Sequence, residues 1–156
     1  MIAFRIADRR FPIFDGSGAQ RVGGRWNSPG LAVIYASATF AGAVLELVVH
    51  GGLGHLPKNH AVIEITVPDG VAVESVAVAE LPRWNAPDCI VSRAFGDRWL
   101  TERRTAVLLV PSMVTHGREH NLLFNPDHPD FKLIQVSKPQ RIAWDRRLFH
   151  RPVRNL

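Results

Sequence analysis

Short apolar runs separated by polar and glycine-rich stretches set the pattern of this chain. Phe4-Arg5-Ile6 predicts a first strand, and the run 31–36 predicts a second. Residues 15–30 are rich in glycine and polar side chains and predict a long ordered loop. Ser37 then has the chemistry of a helix N-cap, residues 38–49 the pattern of a helix, and Gly51 that of its stop. The runs 60–67 and 71–76 flank Pro68-Asp69-Gly70, which predicts two strands joined as a hairpin. Residues 88–104 predict a helix weakened by Gly96. Strands are expected at 105–110, 122–124 and 131–136, with a final strand packing through Ile142, Trp144, Leu148 and Phe149. Many short strands and a few helices, without regular strand–helix alternation, predict a single α+β domain over 1–156.

The helix at 38–49 changes this picture from architecture to chemistry. It is apolar almost all round, which predicts a buried helix, and Glu46 is its only charge. An unpaired carboxylate is costly to bury, so Glu46 needs a partner or a pocket. It can serve as half of a structural ion pair, point out from a narrow polar stripe, or act in a site. Gly23-Gly24-Arg25-Trp26-Asn27 offers the nearest upstream cation. The glycines permit positive φ or close backbone approach, and an arginine there can fork onto a phosphate or carboxylate. A plain turn with Trp26 plugging the core is the alternative. Tyr35, the only tyrosine in the chain, falls between Arg25 and Glu46. A loop, a strand and a helix start can bring all three to one cleft, although a strand tyrosine is commonly core.

Charge adds a question about partners. The 19 Lys and Arg against 14 Asp and Glu give a net +5, and all of it falls in residues 138–156. The basic segment is either a solvated tail or a docking surface for an acidic partner or phosphate. The competing class is a basic nucleic-acid-binding module, but aromatic–basic interleaving and zinc spacings are absent. One cysteine, Cys89, excludes an intrachain disulfide. No apolar run reaches the ~20 residues of a membrane span. Charges interrupt the apolar stretch of the first ten residues, which argues against a signal peptide and for a cytoplasmic protein. His120, Asp127 and His128 match no strong metal motif, so no metal is expected. Ser112 ends an apolar strand, and Asn121 and Asn125 flank another, where they can satisfy backbone groups or line the same cleft.

These residues resemble the RES family, toxins of bacterial toxin–antitoxin pairs. The family's characteristic arginine, glutamate and serine match Arg25, Glu46 and Ser112. Arg5, Tyr35, Gly96-Asp97-Arg98-Trp99 and the late Asn121, Asn125, Pro126 and His128 continue the pattern in order. The resemblance implies a fold similar to ADP-ribosyltransferases, with NAD as substrate rather than cofactor. It implies cleavage of the nicotinamide–ribose bond by a glycohydrolase or phosphorylase, or mono-ADP-ribosylation of a protein. It further implies a cognate helix-turn-helix antitoxin that blocks the cleft, so that DNA is contacted only through that partner. In this scheme Glu46, Arg25 and Tyr35 are the catalytic set. Arg5, Trp26, Asn27, Ser112, Asn121 and Asn125 bind substrate.

Overall fold

The computed structural model describes residues 1–51 and 57–149. One eight-stranded sheet organises them. In chain order its strands are β1 (Ile2–Asp8), β2 (Ile34–Ser37), β3 (His60–Thr66), β4 (Val73–Ser75), β5 (Val107–Pro111), β6 (His120–Phe124), β7 (Gln135–Val136) and β8 (Gln140–Arg141). Helices α1 (Ser17–Val22), α2 (Phe40–Gly51) and α3 (Ile90–Glu102) complete the framework. Across the sheet the order is β4-β5-β6-β2-β1-β3-β7, with β8 also on β3. All pairings are antiparallel except β4 with β5. This is the mixed α+β domain that the short alternating runs predict.

The central strands are buried on both faces, which explains their continuous apolar runs. Leu122 and Phe124 pack with Ile34, Ala36 and Val107 in one cluster. Leu123 packs on the other face with Leu108, Val110, Trp26 and Trp99, and Tyr35 borders this second cluster. The two-residue side-chain period of a strand produces this division. Tyr35 thus shares a face with Leu123, its cross-strand partner.

Several local expectations need correction. The turn at Pro68-Asp69-Gly70 forms, with Val71 N–H donating to the Pro68 carbonyl at 3.0 Å, but no hairpin follows. Strand β3 is already flanked by β1 and by β7 and β8, so β4 crosses to run parallel to β5. Part of the expected loop at 15–30 is helical as α1. Ser37 is the last residue of β2, and Thr39 caps α2 instead, its hydroxyl accepting the Gly42 N–H at 2.9 Å. Gly51 remains in the helix, and a stop beyond it lies outside the described residues.

The expectation of a buried α2 also fails. Only Gly42 and Ala43 are buried, while Phe40, Leu45 and Val49 are 42%, 40% and 56% exposed. Among the described residues the helix rests on β1 and β2 by one side, and its outward apolar side chains stay exposed. In place of the first half of the strand expected at 131–136, Pro129–Leu133 forms a 3-10 turn because Pro129 starts it and His128 Nδ1 accepts the Asp130 N–H. Only Gln135–Val136 is strand. The expected final strand reduces to β8 followed by a 3-10 turn at Arg146–Phe149; Ile142 and Phe149 are buried and Leu148 is 47% exposed.

Candidate active site

A cleft of about 580 Å³ opens between the Gly-Gly-Arg loop, α2 and the adjoining ends of β2, β5 and β6. That volume suits a small organic ligand. Arg25, Tyr35, Glu46 and Asn121 all line it, so the set spread from 25 to 121 in sequence meets at one place.

Glu46 projects from α2 with 18% of its side chain exposed. Its Oε1 accepts from Asn121 Nδ2 at 2.7 Å and from Ser112 Oγ at 3.2 Å. Its Oε2 lies 3.0 Å from Nε2 of His50, one helical turn on. Two strand ends and a helix therefore fix one carboxylate. Asn121 is held by pairing with Ser37 and Val110, and Ser112 is 2% exposed at the end of β5. The carboxylate is partnered yet reachable from the cleft, which joins two of the alternatives that the sequence leaves open.

The Gly-Gly-Arg loop is built on Tyr35. The Tyr35 hydroxyl donates to Asn27 Oδ1 at 2.8 Å and accepts the Trp26 N–H at 3.1 Å. Burial pushes its phenol well above the usual tyrosine range. Gly23 adopts φ +73°, and a Cβ on Gly24 would lie 2.6 Å from the Tyr35 hydroxyl, so each glycine has its own reason. Arg25 Nη1 donates to the Trp84 and Ala86 carbonyls at 3.2 and 3.0 Å, which aims the guanidinium along the cleft wall. Trp26 is 2% exposed and stacks on Trp84.

The remaining expected residues are tied to backbone carbonyls. Asn27 is fully buried and donates to the Ala19 and Leu31 carbonyls. Asn125, 2% exposed, joins Leu100 to the turn at Asp127 and does not line the cleft. Arg5 borders the cleft, but its Nε and Nη1 donate to the Ile13 and Tyr35 carbonyls, both at 2.6 Å. Burial lowers its pKa, opposed by the charge of Asp15. Among the described residues, no three His, Cys, Asp or Glu side chains group as metal ligands. No described helix is long and apolar enough to cross a membrane.

Two contributors escape the sequence reading. His50 is legible afterwards as the i+4 neighbour of Glu46 on a helix. Arg93 donates from α3 to the Gly24 carbonyl at 3.1 Å, and only the packing of α3 under the loop reveals it.

The chain is 44% identical over 140 residues to the Prs ADP-ribosylating toxin of Sphingobium sp. (strain YBL2), covering 87% of this chain and 86% of that protein. It is 32% identical over 152 residues to Toxin Res of Pseudomonas putida, covering 96% and 100%. In fold it matches a chain of the M. tuberculosis MbcT–MbcA toxin–antitoxin complex with a TM-score of 0.69, at 19% identity, over 88% of this chain and 81% of that one. The RES domain profile matches residues 2–145, nearly the whole described region, and the chain therefore belongs to the RES family of toxins.

Proposed function

We propose that this chain is the toxin of a bacterial toxin–antitoxin pair and that it binds NAD and breaks the nicotinamide–ribose bond. The fixed Glu46 carboxylate carries the reading. When the bond between ribose C1′ and the nicotinamide nitrogen breaks, its electron pair leaves with the already cationic ring, which becomes neutral. No general acid is needed. The ribose is left oxocarbenium-like, as in glycoside cleavage. A preorganised negative charge beside that carbon lowers the barrier without having to reorient. Asn121 and Ser112 supply the preorganisation by holding Oε1. Arg25, with Nη1 fixed on two carbonyls, presents its remaining N–H groups to the diphosphate. Tyr35 sets the shape of the loop that carries Arg25.

Water as acceptor gives a glycohydrolase and phosphate a phosphorylase. Either would deplete NAD and arrest growth. ADP-ribosyl transfer to a protein is the second reading, favoured by the name of the Sphingobium relative. A cognate antitoxin as partner is supported by the toxin–antitoxin complex that the fold matches. By the family resemblance we assign it a helix-turn-helix domain, and we place the pair in the cytoplasm.

Purified protein incubated with NAD should release nicotinamide, and Glu46→Gln should slow release by two or more orders of magnitude while keeping the fold. Equal rates in the two proteins would refute the assignment. Phosphate dependence separates hydrolysis from phosphorolysis, and label transfer from NAD to protein identifies the second reading.

A further inference from the structure

A water that adds to ribose C1′ must also lose a proton, and a group at the cleft has to take it. Among the described residues, five titratable side chains line the cleft: Arg5, Arg25, Tyr35, Glu46 and His50. The two guanidiniums carry no lone pair that takes a proton in a protein. The Tyr35 hydroxyl is buried, stays protonated and is tied to Asn27 and Trp26. Glu46 is needed as an anion beside the ribose cation, and a proton on it would cancel that charge. Only the imidazole remains. His50 is 78% exposed at the rim, with Nε2 3.0 Å from Glu46 Oε2. With Nε2–H directed at the carboxylate, the Nδ1 lone pair is the one that takes a proton.

We propose that His50 is the base that deprotonates the water that adds to the ribose, a proposal that rests on the NAD-cleaving reading. The acceptor oxygen forms a bond to ribose C1′. The C1′–nitrogen bond breaks with its electron pair going to nicotinamide. The acceptor's proton passes to His50, which later returns it to solvent. With water the products are ADP-ribose and nicotinamide, and no further reactant is required.

The test compares wild type with His50→Ala and His50→Gln in purified full-length protein, using water alone or added azide as acceptor. Azide is an anion with no proton to lose. With water, both variants should release nicotinamide about 100-fold or more slowly, the scale of general base catalysis, with little change in KM for NAD. With azide, both should approach the wild-type azide rate. A glutamine can still contact Glu46 but takes no proton, so hydrolysis by His50→Gln near the wild-type rate would show a positioning role and overturn the proposal. Equal losses with water and azide would also overturn it. Wild-type release with phosphate or a protein but none with water would overturn the His50 role and leave NAD cleavage standing. No wild-type release with any acceptor would overturn both.

Discussion

Asp97 takes two hydrogen bonds from Ser28, one from the backbone N–H at 2.7 Å and one from the hydroxyl at 2.6 Å. The pair joins α3 to the end of the Gly-Gly-Arg loop, 69 residues away in sequence. Asp97→Ala would leave both donors without their charged acceptor. We expect a loss of about 1–3 kcal/mol and a fall in Tm of about 3–10 °C. Because the same loop presents Arg25, nicotinamide release should also fall. Thermal unfolding checks the first effect, and an unchanged Tm would show that the clamp carries no weight.

Gly96 meets the same loop even more closely. A Cβ there would lie 1.8 Å from the Trp26 carbonyl oxygen and 2.8 Å from its carbonyl carbon. Those atoms are backbone and cannot swing aside. Gly96→Ala should therefore cost more than about 3 kcal/mol, despite the better helix propensity of alanine. A variant with wild-type Tm would mean that α3 and the loop pack less tightly than described.

Tyr35 makes an alkaline prediction. Its pKa is raised in the folded chain because burial disfavours the phenolate, while the unfolded chain titrates near 10. Above about 10 the unfolded state thus binds fewer protons than the folded state. The contribution to stability is complete below that pH and is lost as pH rises toward the folded pKa. Denaturant midpoints should fall above about pH 10, and the ultraviolet signature of phenolate should appear only as the chain unfolds. In Tyr35→Phe this component of the alkaline loss should disappear. A phenolate titrating near 10 in the folded protein would contradict the burial of this ring.

Tyr35 and Gly96 show what is legible in the sequence and what is not. Gly-Gly-Arg, Tyr35, Glu46 and Ser112 stand in the order of a family pattern, and the fold brings them to one region. Their division of labour was not legible. Asn27 and Asn125 look like site residues but hold backbone carbonyls inside the protein. Gly96 reads as a weakness in a helix, whereas its missing side chain is what admits the Trp26 carbonyl. The hairpin expected at 60–76 does not form because a turn motif fixes local chain reversal, while strand pairing depends on which sheet edges are free. An apolar α2 predicted burial, but periodicity cannot say which sides a neighbour will cover. His50 is not legible in the sequence as a site residue because only the placement of α2 on the sheet makes it a neighbour of the cleft.

Asn121 and Ser112 share one oxygen of Glu46, so their effects should not add. The Asn121 bond is the shorter, 2.7 Å against 3.2 Å, and comes from a side chain that itself lines the cleft. Asn121→Ala should lower kcat for nicotinamide release about 10- to 100-fold by freeing the carboxylate, at a cost of about 1–3 kcal/mol in transition-state stabilisation. Ser112→Ala should cost less. In the double variant the carboxylate has already lost its fixed geometry, and the second change should add less than its single effect, giving a coupling energy of about 0.5–3 kcal/mol. Asn121→Asp is the sharper test. It is close in shape but places a second carboxylate 2.7 Å from Glu46 Oε1 in the present geometry. Two carboxylates that close do not both ionise readily, so the pair would hold a proton into a higher pH range. The variant should therefore regain activity as pH rises, whereas Asn121→Ala should follow the wild-type profile at a lower level. Parallel pH profiles for the two variants would mean that Asn121 acts elsewhere than on Glu46.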